Sequence, residues 1–317
     1  MVVPNRDHNR DHNRDHILTI RQGITSYKPL LHVFDHCITE LTRKLSVGLA
    51  LTGSLTKGTA DQYSDLDFQV VVPSETALAE AKAWVTECVS SAGQLLASFP
   101  ATHLGLPNLL IFFLQVESQV VKVDVHVLTI NEFRSLPRAV LLFDPEDQFA
   151  GTPLDASLNE EPTGESTGEP ASSQLAFTPN FADLYQRFSG WTWYTYTKLA
   201  RGEYFEASDA LDTMRSQALL PCLQFIEHLP FEGYRRLETR LSENFLLALR
   251  QTYPAHFQRE EILRAFTNLV RIFSQVQPLI IEQLGQDYRQ ADLQQIVSAI
   301  EQMEAVHKGE SRDSAMK

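Results

Sequence analysis

The 317-residue sequence has only three cysteines, Cys37, Cys88 and Cys222. They are too few and too scattered for a disulfide framework or a zinc site, and they predict a reducing, cytoplasmic setting. No run of about 18 apolar residues occurs, and residues 1–16 lack the apolar stretch of a signal peptide. The sequence therefore predicts neither a membrane span nor export by that route. Basic residues are also scarce: 27 Lys and Arg stand against 40 Asp and Glu, a net charge of −13. No Lys/Arg stripe of the kind that neutralises a phosphate backbone is visible, which argues against long RNA or DNA as a substrate. What is present, 43% hydrophobic and 21% charged residues, is the composition of a globular protein. It excludes a chain disordered throughout and suffices for two ordinary domains or one large one.

The negative charge is unevenly placed. Residues 144–179 hold eight acids and no Lys or Arg, so this segment alone carries −8 of the −13. It is also rich in Pro, Gly, Ser and Thr and has neither helical nor strand periodicity, so 146–179 is predicted to be a flexible acidic linker. At the start, Asn-Arg-Asp-His is repeated three times across residues 5–16. On a helix His8, His12 and His16 would share one face, which offers a metal-binding reading; the plainer expectation is that 1–27 is a disordered repeat segment. The expected organisation is then a domain at 28–145, the linker, a helical domain at 180–310, and a disordered tail at 311–317.

Within 28–145 the hydrophobic period changes along the chain. Leu30, Phe34, Ile38, Leu41 and Leu45 recur at three- and four-residue spacing, an amphipathic helix. Residues 47–52 and 66–72 are short apolar runs closed by Gly53-Ser54 and Pro73-Ser74, which predicts two buried strands. A long helix over 75–96 capped by Ser74, a hairpin of strands 109–117 and 120–128, a short helix at 131–138 and a last strand at 139–143 follow. Beyond 180 the pattern is helical, with stretches at 205–225, 234–253, 259–284 and 292–307. The aromatics Phe181, Tyr185, Phe188, Trp191, Trp193, Tyr194 and Tyr196 lie near helical spacing, and are expected to form core in preference to a base-stacking platform. The fold class expected is α+β: a small mixed β-sheet with flanking helices, followed by an all-α helical bundle.

The chemistry is concentrated in Gly53-Ser54-Leu55-Thr56-Lys57-Gly58-Thr59-Ala60-Asp61-Gln62-Tyr63-Ser64-Asp65-Leu66-Asp67. A strand ending in Gly53-Ser54, with Gly58 shortly after, makes a turn whose N–H groups and hydroxyl can face a phosphate chain. No Gly-Lys-Ser/Thr follows, so this is not the P-loop. Asp65 and Asp67, opening the next strand, fall on one face about 6.6 Å apart by strand rise, a spacing suited to a divalent metal. In Val121-Lys122-Val123-Asp124-Val125-His126-Val127 the valines take one face, while Lys122, Asp124 and His126 share the other. An Asp in a valine-rich strand must be paired or coordinate a metal, which makes Asp124 the third acid of the site. Mg²⁺ prefers oxygen ligands and combines carboxylates with substrate phosphates, so cradle and acids describe one metal–nucleotide site. Lys57 is either a phosphate contact or an exposed loop lysine, and His126 either a proton shuttle or a half-buried structural residue.

These residues resemble the nucleotidyltransferase superfamily of the DNA polymerase beta type, whose pattern is Gly-Ser, a second Gly, Ser-Asp-x-Asp and a later strand Asp. The helical second half, with Lys198-Leu199-Ala200-Arg201-Gly202-Glu203 and Arg215, resembles the bacterial antibiotic adenylyltransferases for aminoglycosides and lincosamides. The resemblance implies transfer of a nucleoside monophosphate, AMP above all, from an NTP to a hydroxyl of a small-molecule acceptor. Asp65, Asp67 and Asp124 would be catalytic and would hold two Mg²⁺ ions, with ATP or another NTP as co-substrate. Gly53, Ser54, Lys57, Gly58, Ser64, Lys198 and Arg201 would bind the nucleotide. Asp124 would either complete the second metal site or act as general base. A protein-modifying nucleotidyltransferase of toxin–antitoxin type and a catalytically idle nucleotide-binding regulator are the competing functions. The regulator would be expected to have lost one of the acids. Oligomeric state is not legible.

Overall fold

The computed structural model describes residues 6–43, 48–136, 139–144, 179–285 and 292–315. The chain divides into two compact units, Met1–Ser172 and Ser173–Lys317; the expected linker, 146–179, lies outside the described residues except for Pro179.

The first unit is built on a six-stranded mixed sheet of β1 (Gly48–Thr52), β2 (Leu66–Val72), β3 (Gln94–Ala101), β4 (Leu106–Val116), β5 (Gln119–Thr129) and β6 (Val140–Phe143). The spatial order is β3-β4-β5-β2-β1-β6. Only β2 and β5 run parallel; the other neighbours are antiparallel. Alternation along the strands sorts two faces. Leu49, Leu51, Phe68, Val70, Val72 and Val121, Val123, Val125, Val127 enter one large core with helices α1 (Arg6–Gly23), α2 (Lys28–Leu41) and α3 (Leu78–Ser90). In α2 the buried stripe Leu30, Val33, Phe34, Cys37, Leu41 keeps helical period, and Phe34 stacks on Phe68 at 6.1 Å. Each such fully buried side chain contributes about 1.5–3 kcal/mol. The opposite face is covered at one end by α4 (Ile130–Ser135), where Phe133 packs with Ala50, Val71, Leu128 and Leu141. Its remainder carries the polar residues of the site.

The structure departs from the expected elements at definite places. The predicted helix over 75–96 is a 3-10 turn at Glu75–Ala77 followed by α3, which ends at Ser90, and β3 was not foreseen. Gly93 explains the change: a Cβ there would lie 2.8 Å from the Gln115 carbonyl, so glycine alone lets the chain close onto β4. Pro100 is tolerated in β3 because that strand is the sheet edge. Ser74 does not cap the backbone; its hydroxyl pairs with that of Thr76 at 2.8 Å. Residues 1–27 were expected to be disordered, yet Arg6–Gly23 is helical: Ile20 and Ile24 reach the core, and Arg21 forks onto Asp35 of α2 with both bonds at 2.8 Å. The three-four spacing of these isoleucines with Ile17 continues the repeat as a helix. The expected tail at 311–317 likewise lies partly in helix α10.

The second unit is helical: α5 (Phe181–Arg201), α6 (Tyr204–Met214), α7 (Leu220–Ile226), α8 (Glu243–Gln251), α9 (Arg259–Leu284) and α10 (Leu293–Ala315). Asn180 caps α5 through the Asp183 N–H, and Gly202 ends it in the left-handed region. The aromatics form core as expected, with Phe188 stacked on Phe273 at 3.6 Å and Tyr185 edge-on to the same ring at 5.0 Å. A π turn, Arg215–Leu219, joins α6 to α7. Pro221 cannot donate to a carbonyl one turn back, and the helix widens ahead of it. The helix expected over 234–253 is reduced to α8, because Gly233 and Arg236 take positive φ angles that a helix does not admit. No helix among the described residues is long and apolar enough to cross a membrane.

Candidate active site

The site lies on the polar face of the sheet, at the parallel junction of β2 and β5. Cross-strand register arranges it in rows. Thr52, Asp67, Asp124 and Ile111 stand opposite one another on β1, β2, β5 and β4; the next row is Ala50, Gln69, His126 and Leu109. Paired residues present their side chains on the same face, so Asp67 and Asp124 are direct neighbours. Asp65 immediately precedes β2, and the register continued by one step brings it beside Lys122, whose antiparallel neighbour is the buried Phe113.

Lys122 is the residue that sequence reasoning left out of the site. Its Nζ donates to Asp65 Oδ2 and to Asp124 Oδ2, each at 2.8 Å, and its side chain is 11% exposed. The only signal for it was its shared face with Asp124. Burial opposes the lysine's charge, but the two carboxylates outweigh it, and its pKa lies above the ordinary lysine range. Burial followed by the charges of Asp124 and Asp65 pushes Asp67 up to about 7, against partial relief from Lys122. Asp124 is raised too, chiefly by burial, with Lys122 acting in the other direction. His126 is lowered by burial, with Glu132 opposing.

The turn after β1 is shaped around Asp67. Gly53 has φ +82°, and a Cβ on it would lie 2.0 Å from Asp67 Oδ2. Glycine is required there both by conformation and by the approach of the carboxylate. Ser54 Oγ donates to Ser64 Oγ at 3.1 Å; Ser64 Oγ donates to Asp61 Oδ1 at 3.2 Å and accepts from the Asp61 N–H at 2.8 Å. The Ser54 carbonyl accepts from the N–H groups of Lys57 and Thr59. Ser64 is thus the buried brace of the loop. Lys57 and Gly58 sit on its exposed outer turn.

Gly53, Ser54, Ser64, Asp65, Asp67 and Asp124 therefore lie on one loop and two adjoining strands. Lys198 and Arg201 belong to the second unit, in the last turn of α5, where Lys198 pairs with Glu203 at 2.9 Å and lies over the Tyr194 ring. Arg215 is 2% exposed and committed to the Thr252 carbonyl at 2.6 Å, to Asp212 and to the face of Tyr253. It is a packing residue and not a free phosphate ligand. The three cysteines are buried and free, and burial raises the thiols of Cys37 and Cys222, so neither is a nucleophile.

The donor set suits a divalent cation with hard oxygen ligands. Three carboxylates face one ammonium, leaving a formal deficit of two positive charges when all are ionised, and Asp124 Oδ1 is buried with no hydrogen-bond partner. Among the described residues no three or more His, Cys, Asp or Glu side chains are arranged so that they could hold a metal ion by themselves, so any ion here would need substrate oxygens as well. Lys122 stands between two of the three acids. For the histidine repeat, the side chains of His8 and His12 lie outside the described residues.

Residues 36–144 match the family model described as a nucleotidyltransferase domain, a span that includes β1, β2, β5 and all three acids. No curated protein matches the chain. Among solved structures, an aminoglycoside 6-adenyltransferase from Bacillus subtilis aligns at 15% identity with a TM-score of 0.32, over 88% of this chain and 96% of that one.

Proposed function

We propose that this chain, whose residues 36–144 match the model of a nucleotidyltransferase domain, transfers AMP from ATP to a hydroxyl of a small cationic acceptor of the aminoglycoside kind. The observation that carries the reading is the row of Asp67 beside Asp124, flanked by Asp65 and closed by a glycine turn shaped to the Asp67 carboxylate. A divalent cation bound here supplies charge neutralisation for the triphosphate and the departing pyrophosphate. Asp65 and Asp67 hold it. The N–H groups of the Gly53–Ser54 turn, braced through Ser64 and Asp61, position the phosphates.

The acceptor oxygen attacks the α-phosphorus. A new P–O ester bond forms as the bond to the α,β-bridging oxygen breaks, and that electron pair leaves with pyrophosphate. The hydroxyl proton passes to Asp124, whose Oδ1 is left without a partner while Lys122 engages Oδ2. Three carboxylates against the single ammonium of Lys122 leave the site acidic, which favours a cationic acceptor and disfavours a polyanionic one.

The test is pyrophosphate release with Mg²⁺ and each NTP, with and without a panel of aminoglycosides and lincosamides, using Asp67→Asn as control. Release that requires ATP, one acceptor and the intact Asp is expected. Nucleotide binding without release for any acceptor would refute the small-molecule acceptor and turn the search to a protein acceptor or a regulator. No binding of any nucleotide would refute the site itself.

A further inference from the structure

We infer that Lys122 takes the place of one of two cations, so that the site binds a single divalent ion with its nucleotide. The inference rests on the nucleotidyltransfer reading and deepens it. A two-ion site needs carboxylate oxygens shared between the ions, so that both the attacking and the leaving oxygen are clamped. Here the position shared by Asp65 and Asp124 is already filled. One ammonium reaches Asp65 Oδ2 and Asp124 Oδ2 at 2.8 Å each, within charge-assisted hydrogen-bond distance. A metal brought to the same two oxygens would meet that ammonium directly.

Lys122 has little room to withdraw. It sits in mid-strand on β5, between the buried residues Val121 and Val123, with buried Phe113 opposite on β4. Pulling it away would separate the ammonium from two partly buried carboxylates, which is unfavourable. The oxygens that remain are those of Asp67, whose carboxylate accepts no hydrogen bond among the described residues, together with the second oxygen of Asp65; Asp124 Oδ1 is left to the acceptor hydroxyl. They suffice for one ion completed by substrate phosphates. The lysine then has a defined part in the reaction: it stabilises the Asp124 carboxylate beside the attacking hydroxyl with a fixed charge in place of an exchangeable one.

The experiment counts ions. Full-length protein is saturated with α,β-methylene ATP, and bound Mn²⁺ is measured from the free-ion electron paramagnetic resonance signal, corrected for Mn²⁺ held by unbound analogue. One Mn²⁺ per chain is expected for the wild type and for Lys122→Arg. Two are expected for Lys122→Met, with the dipolar broadening of a close Mn²⁺ pair. Two ions in the wild type would overturn the inference while leaving nucleotidyltransfer standing. One ion in both wild type and Lys122→Met would overturn the assignment to Lys122. No analogue and no Mn²⁺ bound by folded wild type would defeat the nucleotidyltransfer reading and this inference with it. If circular dichroism shows Lys122→Met unfolded, the wild-type count decides: one supports and two overturns.

Discussion

Replacing Gly53 by alanine tests whether the turn after β1 exists to seat Asp67. Two separable effects are expected. A non-glycine residue at φ +82° costs about 1–2 kcal/mol of backbone strain. The added Cβ would also lie 2.0 Å from Asp67 Oδ2, where ordinary contact starts at 3.4 Å, so the oxygen must retreat by about 1.4 Å. Asp67 is held in register on both sides, by Thr52 and by Asp124, so the carboxylate has to swing and cannot simply translate with its strand. Misplacing a reacting or metal-holding group by about 1 Å costs on the order of 10²-fold in rate.

Gly58→Ala is the matched control. Gly58 has φ +68° and nothing within 4 Å of a built Cβ, so the substitution brings the backbone strain without the collision. Urea unfolding should show a loss of about 1–2 kcal/mol for Gly58→Ala and a larger one for Gly53→Ala, which adds the cost of displacing the Asp67 carboxylate. Turnover, and acceptor-independent binding of Mn²⁺ with α,β-methylene ATP, should fall on the order of 10²-fold for Gly53→Ala alone. Equal functional losses in the two variants would refute the claim that Gly53 is there for Asp67.

Three further outcomes follow from the same structure. The raised pKa of Asp67, about 7 against 3.8, means the metal-free folded chain keeps a proton that the unfolded chain has lost. Stability is therefore full below pH 3.8 and falls as pH rises to about 7, by up to the order of 4 kcal/mol; thermal melts in EDTA should show this loss in the wild type and not in Asp67→Asn, and Mn²⁺ should restore it above pH 7. Ser64→Ala removes the hydroxyl that links Asp61 to Ser54, so chemical unfolding should report a loss of about 1–2 kcal/mol and steady-state kinetics a KM for nucleotide raised several-fold. Arg215→Met leaves the carbonyl of buried Thr252 without its donor, while Asp212, 69% exposed, is taken up by water, so the second unit should lose about 1–3 kcal/mol in urea unfolding; an unchanged midpoint would contradict its assignment as a packing residue.

The parts of the fold that the sequence announced are those where one residue pattern admits one structure. The valines of β5 alternate without interruption, and Gly53-Ser54 and Pro73-Ser74 close β1 and β2, so these strands sit within a residue or two of their expected bounds. The resemblance to nucleotidyltransferases, drawn from the same segment, is met by the family match over residues 36–144. β3 was missed because Ala-rich α3 runs into it without a proline or charge cluster; the boundary is set by a backbone contact of Gly93 with Gln115, far away in sequence. The first helix was missed for the opposite reason. Its local composition is polar and repetitive, and its order depends on Ile20, Ile24 and the Arg21–Asp35 fork, all tertiary.

The acids themselves were legible, and the lysine between them was not. Strand alternation places Lys122, Asp124 and His126 on one face, and a one-residue slip of β5 against β2 would turn the valines to the polar side, so burial forbids it. A two-residue slip would keep every side chain on its proper face. It would set Lys122 beside Asp67 and move Asp124 beside Gln69, leaving Asp65 without its cation. Nothing in the hydrophobic pattern separates these registers, because both bury the same valines. The observed pairing of Asp67 with Asp124 selects one of them. It places the ammonium between the first and third acids, while the second keeps its raised pKa and its glycine-lined seat. The placement of Lys122, on which the single-ion inference rests, is thus decided by the register of one parallel strand pair, a long-range property that no motif within either strand contains.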